Sequence, residues 1–492
     1  MKYVSTRGLQ EPVSASVALI QGIAGDGGLY VPQQIAFQFE LSQLKNRSYS
    51  SLAAVVLEKY FAGSGINVAQ CAKKAYDSDH FYADEPAVLK QIGSVALLEL
   101  FHGRTAAFKD MALSILPYLM LEALRVEQMD KRVVILTATS GDTGKSALAS
   151  FADVPGVDII VFYPSEGVSD VQKRHMQSQA GSNVYVAGIR GNFDDAQSAV
   201  KQIFASARVR RVLEEQNKML SSANSINIGR LYPQTVYYWY AYFALVKSGV
   251  VRLGDAVNFC VPTGNFGNIL AGYYASLAGL PVKRLICASN ENDVLTDFFA
   301  NGTYDKNRTF KKTIAPSMDI LISSNLERLL YHLSDGDGPY IKTLMEQLNE
   351  KGCYTVSAAI KEKMDVRFSA YYADEAEMKC AIKQTYEQQN YVLDPHTAAG
   401  MAVYEKYVKQ TEDNTPCVVL STASPYKFAG SVLSALDGRQ ADSFEAIRLL
   451  SEKVAQPLHP ALANIEKAPV LHPDVCDKTE IEDFVLRVLK ES

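Results

Sequence analysis

The chain has 492 residues, 48% of them hydrophobic, so it can bury more than one core, and we expect roughly two to four domains. Its formal net charge is −5 and its pI is near 5.9, and it has no long basic run. This balance argues against a surface for nucleic acid or an anionic membrane and favours a small soluble partner.

Residues 1–84 are predicted to form a small N-terminal domain. The segments LSQLK and SSLAAVVLEKYFA have apolar residues at helical spacing, and GDGGLYVP (25–32) is typical of a turn. The opening MKYVSTRGLQEPVSA carries charges where a signal peptide needs an apolar core, and the sequence has no stretch long enough to span a bilayer.

The seven cysteines show neither a CxxC pair nor the spacing of a zinc site, so we expect no metal. Cys260, Cys287 and Cys417 lie in apolar, strand-like runs and are expected to be buried thiols that behave as small hydrophobes. We therefore predict a reducing compartment and a cytoplasmic protein.

From about residue 94, short apolar runs rich in β-branched residues alternate with helical patterns. The strand-like runs are SVALLELFHG, VVILTATSG, VDIIVFYPS, NVYVAGI, AVNFCVPTG, KRLICASN and CVVLSTAS. The alternation predicts an α/β fold with parallel sheets, in which ligands bind beyond the carboxyl ends of the strands.

The first candidate site residue is Lys109, in FHGRTAAFKD (101–110), where an apolar strand leads into a helix. Most lysines are solvated surface charges, and a lysine in the first turn of a helix is slightly disfavoured by the helix dipole. Its position alone therefore decides nothing, and its role depends on what the rest of the chain places around it.

The next strand leads into TSGDTGKS (139–146), which is similar to the phosphate-binding loop of nucleoside triphosphatases. That motif needs a glycine five positions before Gly144, but residue 139 is threonine. A nucleotide-binding protein remains the alternative class, and binding of ATP analogues would distinguish it.

Two further loops have the composition of anion sites. In SSANSINIGRLYPQT (221–235), a polar cluster containing Asn224, Ser225, Asn227 and Arg230 precedes a helix; it fits either helix capping or an anion site with Arg230 as a bidentate donor. In AVNFCVPTGNFGNILAGYYA (256–275), an apolar strand runs through a glycine loop directly into a helix; the loop fits either a simple turn or a phosphate site, where backbone N–H groups at the helix start would bind the dianion.

Residues 310–390 are charged and mostly helical, and we predict that they form a helical insertion that interrupts the series of strands. The insertion lies within a catalytic region assigned to residues 85–440, and residues 441–492 are predicted to form a C-terminal helical segment.

With these stretches assembled, the chain resembles the threonine synthases, pyridoxal-phosphate enzymes of the fold-type II class that also includes cysteine synthase and the tryptophan synthase β subunit. The resemblance covers nearly the whole chain. Its motifs are STRG, DGGLYVP, FHGRTAAFKD, TSGDTG, NSINIGR, GNFGN, LDPHTA and TASPYKF. It implies two open, twisted, mainly parallel sheets flanked by helices, with a small N-terminal domain.

The resemblance also implies the last step of threonine biosynthesis, in which O-phospho-L-homoserine and water give L-threonine and inorganic phosphate by γ-elimination and β-hydration. Lys109 would be the catalytic lysine that binds pyridoxal 5'-phosphate covalently. The residues that would also contact the cofactor are Gly264, Asn265, Phe266, Gly267 and Asn268 at its phosphate, Thr422 at the pyridine nitrogen, and Asp142 at the ring oxygen. The substrate-binding residues would be Ser140, Thr143, Asn224, Ser225 and Arg230.

The sequence departs from the family pattern at Arg104, where proline is more usual, and at Ser424 and Tyr426, which replace His and Ala. The competing enzyme readings are other fold-type II activities, such as threonine dehydratase or cysteine synthase, which release no phosphate from phosphohomoserine. A non-catalytic homologue is a further alternative, against which the presence of Lys109 and both glycine loops argues.

Overall fold

The computed structural model describes residues 1–77, 80–139, 141–165, 168–191 and 193–491. Its N-terminal part is a three-stranded antiparallel sheet packed with short helices. The elements are β1 (Lys2–Ser5), β2 (Val13–Ser14), α1 (Ala15–Gln21), β3 (Tyr30–Pro32), α2 (Leu41–Leu44), α3 (Tyr49–Tyr60) and α4 (Val68–Ala75). The sequence analysis predicted the helices here but not the sheet.

Beyond residue 87, strands alternate with helices, as predicted. The strands are β4 (Val88–Ile92), β5 (Val95–Glu99), β6 (Arg132–Ala138), β7 (Val157–Pro164), β8 (Val184–Arg190), β9 (Lys218–Ser221), β10 (Val257–Pro262), β11 (Val282–Ser289), β12 (Thr303–Asp305), β13 (Cys353–Thr355), β14 (Phe368–Tyr372), β15 (Cys417–Ser421) and β16 (Val475–Asp477).

The helices lie between and around these strands. They are α5 (Asp110–Leu113), α6 (Leu116–Val126), α7 (Asp142–Phe151), α8 (Asp170–Gln177), α9 (Phe193–Ala205), α10 (Ala207–Glu215), α11 (Ile228–Leu231), α12 (Thr235–Lys247), α13 (Gly267–Leu277), α14 (Val294–Asn301), α15 (Leu326–Leu333), α16 (Gly338–Glu350), α17 (Ala358–Arg367), α18 (Glu375–Gln389), α19 (Pro395–Thr411), α20 (Ala429–Asp437), α21 (Ser443–Lys453) and α22 (Ile481–Glu491). A 3-10 helix also runs over Pro425–Phe428.

The larger sheet has the strand order β14-β11-β10-β15-β5-β4, and its strands are parallel except for β4. The residues of β5, β10 and β15 are buried, which matches their near-continuous apolar sequences. The smaller sheet has the order β16-β8-β7-β6-β9 and is parallel throughout. The expected fold class, two mainly parallel sheets with a small N-terminal domain, is confirmed.

Three strands lie in stretches that the sequence analysis expected to be helical or mostly helical, and one of them, β13, falls within 310–390 and pairs with β12. β14 falls within the stretch 310–390 and forms an edge of the larger sheet, and β16 falls within 441–492 and pairs with β8. Both are short edge strands with exposed positions, so their sequences lack the apolar runs of the inner strands.

The N-terminal part is tied to the rest of the chain by buried polar contacts. Thr6 Oγ1 donates to Glu327 Oε1 at 2.6 Å, and Arg7 forms an ion pair with the same carboxylate at 3.0 Å. Asn227 Nδ2 donates to the carbonyl of Leu19 at 3.0 Å. The polar clusters around Glu327 and Asn227 therefore hold the N-terminal domain against the region that follows β9.

The three cysteines that were predicted to be buried, Cys260, Cys287 and Cys417, are buried and free. Within the described ranges, no helix combines the length and the apolarity needed to cross a membrane. The same part of the chain shows no cluster of His, Cys, Asp and Glu side chains suited to a metal ion.

Candidate active site

The topology of the larger sheet brings three separate loops together. β10, β15 and β5 are parallel neighbours, so the segments that follow them leave the same edge of the sheet. Lys109 follows β5, the loop 264–268 follows β10, and Thr422 follows β15. The backbone N–H of Phe108 donates to the carbonyl of Thr422 at 2.8 Å, so Thr422 lies directly beside the lysine segment.

Lys109 precedes α5 and turns its side chain into this edge, where 12% of the side-chain surface is exposed. Burial lowers the pKa of Lys109 to about 8, because the interior disfavours its charged form. The charges of Lys427 and Arg230 contribute to this lowering of the pKa, and those of Asp142 and Asp110 oppose it. A useful fraction of the side chain is therefore an uncharged, nucleophilic amine near neutral pH.

Asp142, the first residue of α7, lies 3.9 Å from the Lys109 amine through its Oδ2. Its Oδ1 is 2.9 Å from Lys427 Nζ and accepts a hydrogen bond from Gln172 Nε2 at 2.9 Å. Burial alone would raise the pKa of Asp142, but the two lysines and the Gln172 amide hold it well below its usual range. The structure thus brings Lys109 and Asp142 together, with the carboxylate ionised.

The glycine loop 264–268 has the geometry of an anion cradle. Its backbone N–H groups meet no acceptor among the described residues, and they precede or begin α13. Phe266 adopts the left-handed conformation at φ 65°, which turns the chain into the helix. Free N–H groups at a helix start attract a phosphate.

A neighbouring segment fixes this loop from outside. Ser323 Oγ donates to the Gly264 carbonyl at 2.7 Å, and Asn325 Nδ2 donates to the Asn265 carbonyl at 2.9 Å. Asn268 supports the helix start, since its Nδ2 donates to the Pro262 carbonyl at 2.8 Å. Because these contacts use carbonyl groups, they leave the N–H groups of the loop available.

The second predicted anion site is centred on Arg230, which is buried. One guanidinium nitrogen donates to the Ala223 carbonyl at 2.6 Å, but Nε has no hydrogen-bond partner within the described ranges. Burial lowers the pKa of Arg230 to about 10, so the group remains charged at neutral pH. A buried cation with an unused donor is the arrangement that an anionic ligand completes.

The other members of this cluster divide into two groups. Asn227 is structural, because its Oδ1 accepts from the N–H of Gly229 and its Nδ2 donates to backbone carbonyls. Ser225 Oγ accepts from Asn325 Nδ2 at 3.4 Å, which links the cluster to the glycine loop. Asn224 is half-buried.

In the TSGDTGKS stretch, Thr139 Oγ1 accepts hydrogen bonds from the N–H groups of Gly141 and Gly144. Two backbone N–H groups that a phosphate would need are therefore already bonded to Thr139, whose methyl group would also lie 2.3 Å from a Cβ on Gly144. This packing argues against the nucleotide-binding alternative. Thr143 is half-buried in the first turn of α7, and Ser140 lies outside the described residues.

The sequence analysis assigned no role to two residues near Asp142. Lys427 lies in TASPYKF and is buried in the Pro425–Phe428 helix. His396 lies in LDPHTA; its Nε2 accepts from the N–H of Ser317 at 3.1 Å, so Nδ1 carries the proton that it shares with Asp394 at 2.7 Å. Both residues lie in motifs that contributed to the family resemblance, and these motifs are the sequence signal that could have identified them.

Among the departures from the family pattern, Arg104 is within electrostatic range of Tyr118. Its charge partly offsets the effect of burial on the pKa of that tyrosine.

Comparison with known proteins gives matches along the whole chain. The model for pyridoxal-phosphate dependent enzymes matches residues 86–423. The models for the threonine synthase N terminus and for the threonine synthase C-terminal region match residues 2–76 and 397–485.

Individual relatives agree with these models. A Macaca fascicularis protein named threonine synthase-like 1 is 37% identical over 94% of this chain, which spans only 64% of that relative's length. Threonine synthase from Saccharomyces cerevisiae is 35% identical over 95% of this chain and 96% of its own. The crystal structure of pyridoxal-phosphate-bound threonine synthase from Brucella melitensis superposes over the full length of both chains with a TM-score of 0.87 and 36% identity.

Proposed function

Because the chain belongs to the threonine synthase family of pyridoxal-phosphate-dependent enzymes, we propose that it converts O-phospho-L-homoserine and water to L-threonine and inorganic phosphate. The observation that carries this proposal is the position of Lys109, whose amine is largely desolvated. The free N–H groups of loop 264–268 lie at the same sheet edge, and the buried Arg230 is within electrostatic range of the amine. Two anion sites and one nucleophilic amine suit a phosphorylated cofactor and a phosphorylated substrate.

The residues present fit pyridoxal phosphate. The N–H groups of loop 264–268 would hold its phosphate, Lys109 would bind its aldehyde carbon, and the Thr422 hydroxyl would face the pyridine nitrogen. When bound, the cofactor supplies an electron sink that stabilises negative charge at the substrate's Cα. A hydroxyl at position 422 cannot enforce protonation of the ring nitrogen as a carboxylate would.

Lys109 is the group that we propose moves protons during the reaction. With substrate bound, its freed amine would take the proton from Cα and could afterwards serve as acid or base at Cβ and Cγ. The lowered pKa suits this work, because a base must be uncharged and an acid must be charged within the working pH range. Water then adds at Cβ after the γ-phosphate has left.

Arg230 would hold the phosphate that leaves. Its unused Nε and fixed charge can meet the phosphate oxygens, and the interaction strengthens as negative charge builds on the leaving group. Asn224 and Ser225 would supply neutral donors beside it, and Ser140 and Thr143 would bind the rest of the substrate.

We extend the proposal to the organisation and setting of the protein. The predicted division into residues 1–84, 85–440 and 441–492 stands as a proposal, as does a cytoplasmic location. The partner is a small-molecule substrate; we propose no nucleic-acid or membrane partner.

The proposal is tested by incubating the purified protein, loaded with pyridoxal phosphate, with O-phospho-L-homoserine and measuring phosphate and threonine together. We expect equal amounts of both products. Phosphate without threonine would indicate elimination without β-hydration, and neither product would contradict the proposal. Serine and threonine as substrates, with detection of keto acids, would identify a dehydratase instead.

A further inference from the structure

Asp142 is a buried carboxylate that lies between two lysines, one of them buried and the other largely so. Its Oδ1 is 2.9 Å from Lys427 Nζ, whereas its Oδ2 is 3.9 Å from Lys109 Nζ. Only the first distance is that of a charge-assisted hydrogen bond. The carboxylate therefore has a primary partner, and that partner is not the proposed catalytic lysine.

Lys427 is fixed in this role by its surroundings. About 1% of its side-chain surface is exposed, and its Nζ also donates to the Thr105 carbonyl at 2.8 Å. The backbone around it is clamped as well, because Lys427 N–H donates to the Ser424 carbonyl and Ser424 N–H donates to the Ala106 carbonyl. The ammonium group thus has little freedom to leave the carboxylate.

We propose that Lys427 is the counter-ion of Asp142, and that by neutralising this carboxylate it leaves Lys109 free to react as an uncharged amine. The reason is that a buried carboxylate needs a cation nearby. Without Lys427, the nearest cation for Asp142 would be Lys109, which would then remain an ammonium group. Lys427 is a positioning residue, because it acts through Asp142; the inference rests on the proposed role of Lys109.

The charges around the two lysines agree with this assignment. Lys109 faces Asp142 on α7, Asp110 on α5, Arg230 on α11 and Lys427. The further groups that Lys427 faces are Lys145 on α7, His175 on α8 and His459, and burial together with the Lys427 charge lowers the pKa of each. Lys427 is therefore a source of positive potential for several groups around this site, and Asp142 is its close counter-charge.

The test measures the apparent pKa of Lys109 in protein stripped of cofactor. Pyridoxal phosphate is added between pH 6.5 and pH 9.5, the rate of covalent capture is followed, and the link is trapped with borohydride and located by peptide mapping. The variants are Lys427→Met, Lys427→Arg, Asp142→Asn and the double variant Lys427→Met with Asp142→Asn.

In Lys427→Met we expect the apparent pKa of Lys109 to rise by about one unit, so that capture at pH 7 slows about tenfold and recovers toward the wild-type rate at high pH. Lys427→Arg should keep the wild-type pH profile. Asp142→Asn should shift the apparent pKa of Lys109 downward, and the double variant should return it toward the wild-type value.

A Lys427→Met protein whose capture rate falls by the same factor at every pH would overturn the inference, because a merely structural defect has that effect. An unchanged profile in Lys427→Met or an upward shift in Asp142→Asn would also overturn it. Should Lys427→Met fail to fold, the direction of the Asp142→Asn shift decides. A wild-type protein without a trapped link at Lys109 would instead contradict the proposed function itself.

Discussion

The carbonyl oxygen of Ser317 lies 2.7 Å from the position that a Cβ atom on Gly264 would occupy. Real Cβ atoms do not approach a backbone oxygen so closely, and a peptide carbonyl cannot swing aside as a flexible side chain can. The first residue of the candidate phosphate loop is therefore glycine for a steric reason, independent of any ligand.

The first prediction follows from this contact. Gly264→Ala should push the loop away from Ser317 and weaken pyridoxal phosphate binding on the order of tenfold, because the backbone donors would lose their alignment. Equilibrium dialysis of the cofactor measures the effect. Gly267→Ala is the matched control, since its Cβ would meet nothing closer than 3.4 Å, at Asn325 Nδ2. Equal losses in the two variants would contradict the steric argument.

The second prediction concerns which lysine carries the cofactor. Lys109→Ala should lose both the visible absorbance of the bound cofactor and the borohydride-stable link. Lys145→Met is the informative control, because Lys145 is another buried lysine near the site, and burial lowers its pKa to about 7. Its Nζ donates to Gln179 Oε1 at 2.6 Å, so we expect the Met variant to keep the link at position 109. A trapped cofactor in Lys109→Ala would reassign the link.

The third prediction assigns Arg230 to the substrate. Arg230→Ala should lower kcat/KM for O-phospho-L-homoserine by roughly ten- to hundredfold, the loss of a charge-assisted hydrogen bond of about 1.5–3 kcal/mol. Part of the loss should fall on kcat, because the phosphate gains charge as it leaves. Asn224→Ala should show a milder loss.

Steady-state kinetics measured beside the cofactor spectrum separates the outcomes for Arg230. Normal kinetics without this guanidinium would exclude the second anion site. A lost cofactor spectrum would move Arg230 to the cofactor's side.

The fourth prediction uses the pKa of Lys145, which burial lowers to about 7. In the unfolded chain the pKa of a lysine is about 10.4. Between the folded and the unfolded pKa the unfolded state binds more protons, so the stability of the fold rises with pH. Lys145→Met removes this contribution. The Tm of Lys145→Met relative to wild type should therefore be higher at pH 6.5 than at pH 9.5, in protein saturated with cofactor. The same Tm difference at both pH values would contradict the lowered pKa.

Most of the fold could be predicted from the sequence, because inner parallel strands are buried on both faces and must be apolar. The runs around Val134, Ile160 and Val419 carry that signal. β14 and β16 could not be predicted in the same way. An edge strand pairs with a neighbouring strand on one side only and tolerates exposed polar positions, so its sequence need not be a continuous apolar run. The N-terminal sheet was missed because β2 is two residues long and β3 three.

The candidate site divides along a similar line. The 264–268 loop and Arg230 lie in local motifs whose composition fits an anion site, whereas the role of Lys109 followed only from the family resemblance. Lys427 and Ser317 reach Asp142 only through the packing of distant segments. Their contribution depends on which loops meet at the end of the sheet, and no local pattern encodes that.

The strand order of the larger sheet also bears on how the protein is made. β5 pairs with β4 on one side. On the other side it pairs with β15, so Ala96 has no partner there until Val418 has been synthesised. At ordinary rates of translation this delay is on the order of tens of seconds. Throughout it the nascent chain presents the unpaired backbone of an apolar strand, which is a template for aggregation. The pairing of β5 with β15, which helps to gather the candidate site, therefore leaves this apolar strand without one neighbour until most of the chain has been made.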